Sequence, residues 1–138
     1  MDDFRQAINL DQLTGDDTIT LARTAAEAIR GLNPATRHEA GLGQPSAAYD
    51  VLGALSLAAA RTGQALAQIT RYLDRALSAG RLGHDLGDDP RFAVETAGLF
   101  LDDARRSAAA LAGDLGAAQR QLALLNGRPA PRNCKDRP

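Results

Sequence analysis

Apolar residues recur at three- and four-residue spacing along most of this chain, the period of a helix that buries one face. Two runs are unbroken. Leu52, Leu55, Ala59, Thr62, Leu66, Ile69, Leu73 and Ala76 form the first, and Val94, Ala97, Leu101, Ala104, Ala108, Leu111, Leu115, Ala118, Leu122 and Leu125 the second. A sustained 3,4 alternation is the signature of a coiled-coil seam, in which the seam of one helix faces that of another. The punctuation agrees with two long helices. Ser46 is placed to cap the first, which runs to Ala79 and stops at Gly80; Asp89-Pro90 opens the second, which runs to Leu125 before Asn126-Gly127.

Two shorter helices are predicted ahead of them. Residues 2–12 carry Phe4 and Ile8 one turn apart. Asp16 and Asp17 are N-cap candidates for the next, with Ile19, Ala22, Ala26 and Ile29 in helical register and a stop at Gly31, Leu32 and Pro34. At 1.5 Å per residue the long helices make an antiparallel hairpin about 50 Å in length, whereas the short ones span about 15–20 Å each and cover less than half of it. The expectation is therefore an all-α protein: a four-helix bundle of two short N-terminal helices and a long coiled-coil-like hairpin, part of which projects as a two-helix arm. Residues 1–126 form this single domain, and 127–138 ("GRPAPRNCKDRP") a flexible, basic, proline-rich tail.

Composition narrows the function classes. The 138 residues suffice for one domain with a core. The only cysteine, Cys134, lies in the tail with no intrachain partner, which suits a reducing compartment, and no stretch reads as a leader or a membrane span, so a cytoplasmic location is expected. Arg outnumbers Lys fifteen to one and alanine is abundant, a usage similar to that of small actinobacterial proteins from high-GC genomes, and one that implies no activity. Residues 1–126 carry 12 Arg against 16 acidic residues, a charge of −4, and the tail carries +3. Neither marks a nucleic-acid binder. Arg71, Arg75, Arg105 and Arg106 are interleaved with Asp74, Asp102 and Asp103, a solvated face with local pairing.

Chemistry concentrates in "LNPATRHEAGLGQPSAAYDVL", Leu32 to Leu52. His38-Glu39 and His84-Asp85 look like halves of a metal site, but the hairpin separates them by about 50 Å, and neither has the i, i+4 spacing of two ligands on one helix face. No metal or other cofactor is expected. The helical HEPN ribonucleases, which separate an Arg from a following His by four to six intervening residues, are not matched by Arg30 with His38 or Arg81 with His84, nor do the isolated Glu27, Glu39 and Glu95 supply the Glu pairs of all-α nucleotide pyrophosphohydrolases. No catalytic nucleophile stands out. What the stretch does offer is an anion site: Arg37 and His38 for charge, Gly41 and Gly43 for turning the backbone, and Ser46 at the start of a long helix, all in a connection of about twelve residues, long for a helix–helix link.

On the predicted arm, Phe92 and Leu99 point away from the seam, Phe100 flanks it, and Tyr72 lies level with Phe100, where the two rings could stack. An aromatic cluster on an under-covered arm reads as an interface. The sequence thus points to a non-enzymatic adaptor or accessory protein that works by protein–protein contact, as a homodimer or with another helical protein, through Tyr72, Phe92, Leu99 and Phe100. The alternatives are a small anionic-ligand or phosphate module at residues 37–46 and weak nucleic-acid binding by the tail.

Overall fold

The structure, a computed structural model, describes residues 12–129. The protein is all-α, with four helices and no strand among those residues: α1 (Gly15–Arg37), α2 (Glu39–Leu42), α3 (Pro45–Ser78) and α4 (Pro90–Leu122). The chain divides into two compact units, residues 1–43 and 44–138. Residues 2–11 of the expected first helix, and residues 130–138 of the expected flexible tail, lie outside the described residues.

In the first unit, α1 starts at a capping box. The Thr14 hydroxyl oxygen accepts the Asp17 N–H at 3.3 Å, and the Thr14 N–H donates back to the Asp17 carboxylate at 2.9 Å. The cap is therefore Thr14, and Asp17 is its reciprocal partner rather than the N-cap itself. The Thr14 backbone N–H, and after it the Thr14 hydroxyl, hold the Asp17 carboxyl below the usual carboxylate range, against a small opposing effect of desolvation.

The stop expected at Gly31 and Pro34 does not occur. α1 continues through both to Arg37, 23 residues or about 35 Å, well beyond the 15–20 Å expected. A proline inside a helix removes one N–H and leaves the carbonyl four residues earlier without its donor. Here that residue, Arg30, is exposed, so water can satisfy the carbonyl, while Thr36 donates its hydroxyl to the Leu32 carbonyl at 2.8 Å. The helix ends at His38, whose extended backbone (φ −110°, ψ 143°) serves as N-cap of the one-turn α2. The expected twelve-residue connection accordingly shrinks to His38 and Gly43–Gln44. Its glycines have backbone reasons. A Cβ on Gly41 would overlap the Ala35 carbonyl of α1, and Gly43 has φ +69°.

In the second unit, Gln44 is the N-cap of α3 and Pro45 takes the first helical position, so Ser46 lies inside the helix and does not cap it. α3 ends where Gly80, at φ +67°, lets the Arg81 N–H reach back to the Ala76 carbonyl at 2.9 Å, as in a Schellman turn. α4 opens as the sequence predicts: the Asp89 carboxylate accepts the Arg91 N–H at 2.9 Å, and Pro90 occupies the first turn. It closes at Leu122, three residues before the expected Leu125.

α3 and α4 pack along each other in antiparallel register. The Ser56 hydroxyl donates to the Ala112 carbonyl at 2.8 Å, and the Gln119 amide donates to the Tyr49 carbonyl at 3.2 Å. Between them, a Cβ on Gly63 would sit 4.0 Å from the Ala108 Cβ. The buried and half-buried positions include Leu52, Ser56, Ala59, Gly63, Leu66, Thr70, Leu73 and Ala76 of α3 and Val94, Gly98, Leu101, Ala108, Ala112, Leu115, Gln119 and Leu122 of α4, with Ala59 at 7% and Ala76 at 1% exposure buried outright. Predicted seam residues Leu55 and Ala97 are half-buried and Ala76 is buried, but at four other positions the buried side has moved by one residue. Gly63 replaces Thr62, Thr70 replaces Ile69, Ala112 replaces Leu111 and Gln119 replaces Ala118. The contact line is built from small residues between leucines, which lets the backbones approach closely enough for a serine hydroxyl to reach a carbonyl of the facing helix.

Three predictions follow from these local geometries. Gly41→Ala must displace either α2 or the last turn of α1, so amide exchange at Gly41 and Gly43, whose N–H groups bond His38 and Glu39, will accelerate while α3 and α4 keep their protection. Because the carboxyl of Asp17 is depressed in the folded chain, its stabilisation of α1 is complete above the ordinary carboxylate range and is lost as pH falls through the folded-state value. NMR protection of the first-turn amides will decline with acid accordingly, and Asp17→Asn will remove that pH dependence. Gly63→Ala adds a methyl at ordinary contact distance and gains about 1 kcal/mol of helix propensity, whereas Gly63→Leu forces the helices apart at a cost of about 1–3 kcal/mol; urea midpoints of the two variants will move in opposite directions.

Candidate interaction surface

The one-residue shifts at these four seam positions decide what the helix pair exposes. With 3.6 residues per turn, the apolar stripe of each helix is rotated by about 40° from the line joining α3 and α4. In an antiparallel pair the two rotations fall on the same side. The large side chains that the sequence pattern would place between the helices therefore lie on one outer face: Leu111 is 53% exposed and Ile69 47%.

That face runs the length of the pair. α3 contributes Val51, Leu55, Ala58, Ala65 and Ile69, and α4 contributes Ala97, Phe100, Ala104, Leu111 and Ala118; Asp114, in the same helical register as Phe100, sets a charge on its α4 edge. The opposite face is different. There Gly63, Gln64, Ala67, Asp102, Arg105, Arg106 and Ala109 line an open depression of about 640 Å³. Arg105 pairs with Asp102 at 3.3 Å, and Arg106 pairs with Asp103, so the guanidinium groups are answered within their own helix.

Of the four residues expected at an interface, Phe100 (70% exposed) and Tyr72 (53%) stand on the predominantly apolar face. The guanidinium over the Tyr72 ring is that of Arg81, 6.0 Å from the centroid, in cation–π range; the expected stack on Phe100 gives way to this contact. Phe92 (77%) and Leu99 (69%) project from the side of α4 turned away from α3. Sequence reasoning did not single out Ile69 and Leu111 as surface residues. Their signal was the row of small residues one position along, at Ser56, Gly63, Gly98 and Ala112, which competes with the leucine stripe for the contact line.

The residues of the expected anion site divide between the units. Arg37 closes α1, His38 and Gly41 belong to the α2 turn, and Gly43 is the last residue of the first unit, while Ser46 lies in the first turn of α3. His38 makes no side-chain capping bond. His84, in the connection between α3 and α4, uses Nδ1 to accept the Leu86 N–H at 3.2 Å, with the Asp88 carboxylate 3.9 Å away. Among the described residues, no three His, Cys, Asp or Glu side chains come together as metal ligands, and no helix is long and apolar enough to cross a membrane. No family model, curated protein or solved structure matches the chain.

Proposed function

We propose that this protein is a non-enzymatic adaptor or accessory protein whose working surface is the predominantly apolar face of an α3–α4 hairpin, buried in use against another helical chain. The observation that carries this reading is the exposure of Ile69, Phe100 and Leu111 on one predominantly apolar face, with Asp114 at its edge, opposite a face laced with paired charges. An extended apolar patch bordered by polar surface is the usual mark of a protein contact site. The energetics point the same way. Among the described residues only Ala59 and Ala76 are buried, and no large side chain is fully buried. A fully buried leucine contributes about 1.5–3 kcal/mol, so half-buried leucines along a single contact line leave much of the available stabilisation unrealised.

Under this reading the glycines at 41 and 43 shape the turn after α1, and the histidines serve local structure. The coiled-coil pattern of the sequence describes the stripe that a partner would cover, and Phe92 and Leu99 lie outside it.

The test is site-specific photo-crosslinking in cells expressing the full chain. A photoreactive residue at position 111, on the face, will yield covalent adducts with protein; the same residue at position 57, an exposed leucine on the side of α3 away from both α4 and the face, will not. Equal labelling at both positions, or none at either, would overturn the reading.

A further inference from the structure

We infer that His84 is a proton-operated latch in the connection between α3 and α4: neutral, its Nδ1 holds the Leu86 N–H, and protonated, the same atom releases that N–H and pairs with the Asp88 carboxylate.

The connection has little packing to fix its shape. Between Ser78 and Pro90 only Leu82 and His84 are half-buried, and every other residue is exposed. Hydrogen bonds therefore set its path. After the Schellman turn at Gly80 the chain folds back once more over residues 84–87, where the Gly87 N–H donates to the His84 carbonyl at 2.8 Å and Gly87 takes φ +79°. The ring supplies the second tie of this turn. Its Nδ1 accepts the Leu86 N–H at 3.2 Å, two residues on, the bond that an aspartate or asparagine side chain makes in an Asx turn. Both ties end on His84, and one of them can titrate.

An imidazole nitrogen carries either a lone pair or a proton. To accept the Leu86 N–H, Nδ1 must be bare, which puts the proton of the neutral ring on Nε2. A proton on Nδ1 sets two N–H groups against each other, so the ring must turn from Leu86. Asp88 is placed to receive it. Its Oδ2 lies 3.9 Å from Nδ1, beyond hydrogen-bond length while the ring is neutral and near enough for a small ring rotation to close a charge-assisted bond. The connection thus has two states. In one the turn is closed by both ties; in the other it keeps the carbonyl tie, and the ring holds Asp88, the residue before the N-cap of α4.

Neighbouring charges leave this pair to itself. Among the described residues, Asp88 supplies the carboxylate within 4.0 Å of the ring; Asp85 and Asp89 of the connection, Asp74 of α3 and Glu95 of α4 lie outside that distance. The Asp89 carboxylate accepts the Arg91 N–H at 2.9 Å, and the Arg81 guanidinium sits over the Tyr72 ring. Histidine is the side chain whose charge changes between about pH 5 and 8, and this one is 32% exposed, open to protons from solvent.

The experiment is NMR on the full chain between pH 8 and pH 5. At pH 8 the ring nitrogens of His84 will report the Nε2–H tautomer. As the ring titrates, the Leu86 amide will lose protection from exchange by about fivefold, the worth of one ordinary hydrogen bond, the Asp88 carboxyl carbon will shift at the same midpoint, and the Gly87 amide will keep its protection. His84→Asn places an oxygen where Nδ1 stood and does not titrate, so Leu86 will stay protected throughout; His84→Ala will leave it unprotected throughout. An Nδ1–H tautomer at pH 8, or Leu86 protection that is indifferent to the state of the ring, overturns the latch. Persistence of the acid-induced loss in His84→Asn assigns it to another group and overturns the latch as well. An Asp88 carboxyl that does not move with the ring overturns Asp88 as the acceptor.

Discussion

The close approach of α3 and α4 governs the rest of the second unit. Two helices whose sequences carry a leucine stripe can meet on that stripe or on a line of small residues beside it, and here they meet on the small residues. Ser56, Ala59, Gly63, Ala108 and Ala112 bring the backbones near enough for the Ser56 hydroxyl to reach the Ala112 carbonyl, with Gln119 closing on Tyr49 further along. Close packing gains dispersion contact over the full length of both helices. It also forces Ile69 and Leu111 out of the contact line, and because the helices run in opposite directions they emerge together. A continuous apolar face is the geometric result of that choice.

Much of the architecture was legible in the sequence, and the reasons are local. Asp89-Pro90 reads as a helix start because a carboxylate can bond the second N–H beyond it and a proline there gives up only an N–H with no partner; Gly80 reads as a stop because the Schellman turn needs a positive φ. The end of α1 was not legible. Gly31 and Pro34 are breakers by intrinsic propensity, but an exposed helix tolerates both when water can answer the one carbonyl, that of Arg30, which the proline leaves without a donor. The capping box was half visible: Asp17 was in view, and Thr14 three residues before it supplies the hydroxyl.

The candidate site was harder to read because periodicity fixes a stripe only to within about one residue per turn, and a shift of one residue turns a helix by about 100°. Large residues drew the seam toward Leu111 and Ile69, while the geometry is set by Gly63 and Ala112, whose contribution is the space they leave. Phe100 stood out in both views, as an aromatic residue flanking the seam and as an exposed ring on the face. The chemistry suggested by residues 37–46 had a different source. Gly41 is required by a carbonyl of the preceding helix, and that close approach could not be read from sequence spacing.

The antiparallel register also orders the chain in time. Contacts next to the α3–α4 connection join residues separated by a short loop, whereas the Gln119 bond to Tyr49 spans 70 residues and the Ser56 bond to Ala112 spans 56. Loop closure grows more costly with separation, though slowly. Pairing is therefore expected to begin at the turn marked by Gly80 and Gly87 and to zip toward Gln44 and Gly127, and to come apart in the reverse sense, so that the end of the face that holds Val51 and Ala118 is the last to form and the first to open.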